Sequence, residues 1–288
     1  MGIWTGSLDA QPIAQLPEIA AELESLGYDA LWIPEVAGRD PFVNAALLLG
    51  GTDRLIVATG IATIYGRDPI SMASVWKTVT DAFPDRFLLG LGVSHQPAVE
   101  GIRNREYGPP LTAMREYLDG IDAAPYFARP PTAEPVRALA ALGPKMLALA
   151  AERAIGAHPY FVPVEHTAIA REAMGPDAWL MPEQMAVLET DAATARAIAR
   201  GAMAIYLTLP NYVNNLRRLG FGDDDIAGGG SDRLVDAIVA WGDESAIRVR
   251  FDEHYAAGAD HVCVQVLTES RAELPMDTWR RLAPALLG

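Results

Sequence analysis

The amino-acid sequence predicts an α/β protein folded as a single (β/α)8 barrel over 1–288, with insertions in the loops of the top face. Three observations carry this reading. Short β-rich apolar runs alternate with longer amphipathic stretches, the pattern of βα units around a parallel sheet. The runs number eight, which favours a closed barrel over an open sheet. The length of 288 residues suits one barrel with insertions as well as it suits two ordinary domains.

In chain order, the first run is 2–5. Ile13, Leu16, Ala20, Leu23 and Leu26 then recur at three and four residues and stop at Gly27, as an amphipathic helix with a glycine end should. The runs 30–33, 55–60 and 87–93 follow, with the continuous apolar character of strands covered on both faces. The stretch 101–110 fits neither period and reads as a long loop, as does 123–135 with its four prolines. Met114, Leu118 and Ile121 mark a helix between them. The run 136–142 leads into Gly143-Pro144 and a helix carrying Met146, Leu149 and Arg153, with proline near its first position. The runs 157–162, 179–188 and 261–267 complete the set. Between the last two, 207–232 holds Asp223-Asp224-Asp225 and Gly228-Gly229-Gly230 and reads as a solvated excursion.

Composition excludes several classes. Half the residues are hydrophobic and 21% are charged, so the chain can bury a large core and is not of the disordered type. A formal net charge of −14 argues against nucleic acid and anionic membranes as partners, since both require clustered Lys and Arg. No apolar stretch approaches the roughly 20 residues that span a bilayer, and Met1-Gly2-Ile3-Trp4 does not open a signal peptide; the cytoplasm is the expected compartment. The single cysteine, in Val262-Cys263-Val264, reads as a buried, unreactive strand position.

Barrel active sites lie at the carboxyl ends of the strands, so the residues just after each run are the candidates. Glu35 follows Leu31-Trp32-Ile33-Pro34, a carboxylate beside a tryptophan that could serve as an acid or base, or else pair with Arg39 or Arg67. His95 ends Gly90-Leu91-Gly92-Val93-Ser94-His95, where an imidazole can exchange protons with a bound ring or simply brace the loop. The two glycines imply close approach of the backbone to something flat or bulky. They are not a dinucleotide fingerprint, and Gly92-Val93-Ser94-His95-Gln96 is not a nucleophile elbow. No histidine spacing suggests a metal site. Gly143-Pro144-Lys145 offers helix N–H groups and an ammonium, a seat for phosphate or plain helix initiation.

With these residues in place, the sequence resembles the luciferase-like flavin and deazaflavin oxidoreductases. The resemblance rests on Leu31-Trp32-Ile33-Pro34-Glu35, Val57-Ala58-Thr59-Gly60-Ile61, the stretch from Asp85 to His95, and Ala257-Gly258-Ala259-Asp260-His261-Val262, in that order along the chain. Glu35 to Phe42 and Gly156-Ala157-His158-Pro159-Tyr160 are similar to an actinobacterial subgroup of coenzyme F420-dependent oxidoreductases. This implies hydride transfer between the deazaflavin F420 and a small organic substrate, with an FMN-dependent monooxygenase or a non-catalytic flavin-binding barrel as the alternatives. It also implies a non-prolyl cis peptide at Gly60–Ile61, Val93, Ser94 and His95 beside the ring or its ribityl chain, and Gly143 with Lys145 near the phosphate. Many such proteins carry a histidine after strand two; here Pro34-Glu35 stands there, so Glu35 replaces the imidazole, His95 takes over, or no protein acid is needed. Arg67, Arg103 and Arg105 are the candidates for an anionic glutamyl tail, and a homodimer through barrel helices is a further implication of the resemblance.

Overall fold

Strand and helix alternate along nearly the whole chain in a computed structural model that describes residues 1–288. The first half runs β1 (Gly2–Trp4), α1 (Leu16–Ser25), β2 (Ala30–Ile33), α2 (Pro41–Gly50), β3 (Ile56–Thr59), β4 (Ala62–Thr63), α3 (Pro69–Ala82), β5 (Phe87–Gly92), α4 (Gln96–Gly101) and α5 (Pro110–Asp122). The second half runs β6 (Val136–Leu139), α6 (Pro144–Arg153), β7 (Gly156–Ala157), α7 (Val164–Met174), β8 (Trp179–Leu180), β9 (Glu183–Val187) and α8 (Ala192–Met203). After these come α9 (Pro210–Arg218), α10 (Asp223–Ile226), α11 (Asp232–Ile238), β10 (Val239–Trp241), α12 (Glu244–Ala256), β11 (Cys263–Val266) and α13 (Met276–Leu287).

Every strand pair is parallel, and the order β9-β11-β1-β2-β3-β5-β6-β7-β8 returns to its start because β8 and β9 are consecutive in the chain. The predicted run 179–188 is thus one stave in two pieces: Trp179–Leu180 pairs with β7 and Glu183–Val187 with β11. Pro182, which has no N–H to donate, lies at the break. The sheet therefore closes as a (β/α)8 barrel, with β10 paired outside the ring to β9.

Alternation along the strands sorts side chains into two cores. Ile3, Leu31, Val57, Leu89, Leu139 and Val264 face outward and pack against Leu16, Leu23, Phe42, Leu48 and other helix residues. Trp4, Trp32, Leu88, Met181 and Cys263 face inward, among Ala30, Ala58 and Ala138, so the two indoles are accommodated by three alanines. Cys263 is fully buried, and burial drives its thiol far above the ordinary range, which makes it a packing residue.

Three sequence expectations change. The run 157–162 is strand only at Gly156–Ala157; beyond it, Pro159 lacks a donor and Phe161 adopts a left-handed φ of 57°, so the chain leaves the sheet and crosses the barrel mouth. β10 lies outside the eight predicted runs. The segment 207–232 is not a solvated excursion. Asp223 and Asp224 are exposed, but Leu209, Tyr212, Leu216 and Phe221 are buried in a second hydrophobic cluster with Met203, Leu234 and Val239. That cluster props α9 over the carboxyl ends of the strands.

Candidate active site

A cavity of about 490 Å³ opens where the strands end. Trp4 comes from β1, Pro34 and Glu35 from the end of β2, Gly60 and Ile61 from β3, and Gly92, Val93, Ser94 and His95 from β5. Ala140, Leu142 and Gly143 follow β6, and His158 and Tyr160 follow β7. The loop between α4 and α5 adds Ile102, Arg103 and Tyr107, and the inserted segment adds Tyr206, Asn211, Tyr212, Asn214 and Arg218. Seven of the eight residues singled out from sequence (Glu35, Gly60, Ile61, Val93, Ser94, His95 and Gly143) therefore meet on one wall system. Lys145 does not; it is exposed and stands outside the lining.

The β3 and β5 ends are built from backbone. The Gly60–Ile61 peptide is cis. Gly60 N–H donates to Ile33 O at 2.8 Å, Glu35 N–H donates to Ile61 O at 3.2 Å, and the Trp4 indole N–H donates to Gly60 O at 3.1 Å. A Cβ on Gly92 would lie 2.4 Å from the Ile61 side chain, so this glycine is what lets Ile61 lie across β5. The glycines before His95 thus admit neighbouring protein atoms, the Thr59 carbonyl at Gly90 and the Ile61 side chain at Gly92, rather than a ligand directly.

Glu35 is enclosed, its side chain 9% exposed. Its Oε1 accepts from Arg67 at 2.8 Å and from Arg103 at 3.5 Å, and its Oε2 accepts from the backbone N–H of Thr63 at 2.9 Å. Arg67 also pairs with Asp40, which caps α2 through the N–H groups of Phe42 and Val43. Of the partners considered from sequence, Arg67 is the one present; Arg39 instead donates to the carbonyls of Leu8 and Gln11. Two of the arginines considered for an anionic tail are thus already engaged, and Arg105 is exposed.

His95 caps the start of α4, and its Nδ1 lies 3.2 Å from the Asn211 side-chain oxygen, which can only accept, so Nδ1 carries the proton. Its ring tilts against Tyr212 at 5.3 Å. Burial lowers its pKa and the Asn211 hydrogen bond partly offsets that, so the ring is neutral near pH 7 with Nε2 free.

The sequence reading missed His158, Tyr160 and the inserted residues. His158 stacks on Trp32 with ring centres 4.2 Å apart, and its Nδ1–H donates to Met181 O at 2.7 Å. Nε2 is left as a buried acceptor without a partner, and burial pulls the pKa to about 4. The Tyr160 hydroxyl lies 2.7 Å from that of Tyr206 and donates to Gln265 Oε1 at 2.8 Å. Beneath them Glu183 is wholly buried and pushed up to about 8 by desolvation, with Oε1 unpartnered. Arg218 extends over the start of α6, its Nη1 3.3 Å from where a Gly143 Cβ would be. It has no carboxylate partner and is braced by Asn215 Oδ1 at 3.1 Å, while Asn215 Nδ2 is buried and unpartnered. A signal for the insert existed in Leu209, Tyr212 and Leu216, spaced by three and four, but the flanking Asp and Gly triplets masked it.

These residues fit a phosphate-bearing, flat aromatic cofactor. Gly143 at the uncapped N-terminus of α6 and the acid-free Arg218, both on the cavity wall, form a pair of donors suited to an anion. Ile61, Val93 and Trp4 supply the apolar walls a ring requires.

A parallel barrel with an aromatic cavity at its carboxyl-end mouth is the architecture of a ligand-binding barrel enzyme. The chain belongs to the luciferase-like monooxygenase family, whose family model matches residues 2–261. It is 26% identical to Rv3520c of Mycobacterium tuberculosis, provisionally named a coenzyme F420-dependent oxidoreductase, over 96% of this chain and 97% of that one. Among solved structures it superposes on the coenzyme F420-dependent tetrahydromethanopterin reductase of Methanopyrus kandleri with a TM-score of 0.78, 16% identity, and coverage of 100% and 98%. The oxygenating constituent of 3,6-diketocamphane monooxygenase from Pseudomonas putida, in complex with FMN, gives 0.70 at 14% identity, covering 94% and 90%. No helix of the chain is long and apolar enough to cross a membrane.

Proposed function

We propose that this protein is an oxidoreductase that transfers a hydride between coenzyme F420 and a small organic substrate. The observation that carries this is the acid-free guanidinium of Arg218 above Gly143, joined by an apolar cavity to the Gly60–Ile61 end of β3. The name given to the full-length relative supports the deazaflavin over FMN. When bound, the deazaflavin supplies the two-electron chemistry at its ring, and the protein supplies binding, orientation and electrostatics.

In this reading Gly143 and Arg218 hold the phosphate, and Ile61, Gly92, Val93 and Ser94 bed the ring. Lys145, outside the wall, adds at most a long-range attraction. His95 holds or moves a proton at Nε2, the nitrogen that Asn211 leaves free. Glu35 fixes the rim through Arg67, Arg103 and the Thr63 N–H.

The test is a fluorescence titration of the purified protein with coenzyme F420 and, separately, FMN at matched ionic strength. Tighter binding of F420 is expected. Preference for FMN would move the protein to flavin-dependent monooxygenation, and binding of neither would leave a barrel whose pocket serves another ligand.

A further inference from the structure

We propose that the substrate is an uncharged, largely apolar molecule that enters the cavity between Val36 and Ile102. The inference rests on the cavity being the reaction site and extends that reading to the substrate.

Val36 is 64% exposed and Ile102 61%, and of the large apolar side chains left exposed they are the two that border the cavity. They stand at one rim, where Arg103 donates to Val36 O at 3.0 Å and so ties the loop after β2 to the loop after α4. An apolar lip at a cavity mouth offers a favourable contact to an apolar ligand and none to an ion.

The charges at this rim are already matched. Glu35 pairs with Arg67 and Arg103, and Arg67 pairs with Asp40, so two cations face two anions. An ionised substrate would lose its hydration here and find no unpaired opposite charge among the lining residues of this rim, which is costly. The acid-free arginine on the wall is Arg218, across the cavity at Gly143, where the cofactor phosphate takes it up. With that charge used, what is left of the cavity suits a neutral molecule.

The test uses the full chain and a matched pair of probes, cyclohexanone and cyclohexanecarboxylate, titrated by ligand-observed NMR with and without F420. We expect the ketone to bind at least about tenfold more tightly than the carboxylate, the scale set by one apolar pocket contact. Val36→Asp and Ile102→Asn, both at exposed positions that folding tolerates, should each weaken ketone binding about tenfold and leave the F420 affinity unchanged. Equal or tighter binding of the carboxylate would overturn the proposal, as would variants that bind the ketone normally. It would also fall if the variants act by splitting a dimer, read by light scattering, because the lip would then be a subunit interface. If F420 fails to bind while the ketone preference and both variant losses persist, the cofactor reading fails and this one stands.

Discussion

The strand ends of the barrel and the inserted segment from Tyr206 to Arg218 line one cavity, yet they are held in place differently. The strand ends are fixed by backbone ladders and by close packing, as at Gly90, where a Cβ would lie 1.9 Å from Thr59 O. The insert rests on a smaller second core around Leu216, Leu234 and Met203, which it shares with Met185 and Val187 of β9. The barrel thus supplies positions that tolerate almost no change, and the insert supplies chemistry, in Asn211, Tyr212 and Arg218, held by side-chain packing rather than by a backbone ladder.

Stability mutants should separate the two most strongly. Gly90→Val is expected to cost more than about 3 kcal/mol and to lower the urea midpoint of the whole protein, since the added atoms meet main chain. Leu216→Ala should cost about 2–5 kcal/mol, but locally: hydrogen exchange should show amides of α9 and α11 losing protection while β2 and β5 keep theirs. Global loss in both variants would merge the two regions into one cooperative unit.

Ligand binding gives the next largest effect. Arg218→Ala should weaken F420 binding about tenfold to a hundredfold, as loss of a charge-assisted contact does, with a dependence on salt. Lys145→Ala should leave it unchanged, because that ammonium lies outside the lining. The reverse order of effects would return the phosphate to Lys145 and deny the insert its part.

The pH dependence of stability should map to three histidines and Glu183, spread over the barrel interior and the α12 layer. His158 binds its proton more weakly when folded, with a pKa of about 4, and His254 and His261 are lowered to about 3, so stability is complete above roughly 6.5 and falls as pH drops toward 4. Glu183, raised to about 8, has the opposite sign: its folded form keeps the proton, and stability falls as pH rises from the ordinary carboxylate range to about 8. Each group contributes a slope of up to about 1.4 kcal/mol per pH unit. Urea unfolding between pH 4 and 9 should show both limbs, and Glu183→Gln should flatten the alkaline one.

The smallest effect concerns Glu35. With its oxygens held by two guanidinium groups and an N–H, Glu35→Gln should lower turnover and F420 affinity together, by a few-fold. A loss confined to turnover would make Glu35 the proton donor after all.

Much of this could be read from the residues. Apolar runs ending in Glu35, Ile61 and His95 announce strands and their exits, because a parallel barrel buries both faces and puts each exit at the mouth. His158 escaped notice because its role depends on Met181 O and Trp32, distant in sequence, which assign its proton and cover its face. Arg218 escaped because Arg217 and Arg218 at the end of a polar helix look like solvated surface until the helix is docked over Gly143.

The sequence by itself determined the barrel, its eight staves and the residues at their ends, since hydrophobic period and turn chemistry act over a few residues. Only the tertiary structure decided which charges pair and which stay free. Glu35 is neutralised by Arg67 and Arg103, and Arg218 is left without an acid, because Coulomb energies depend on through-space distances and burial that chain order does not encode.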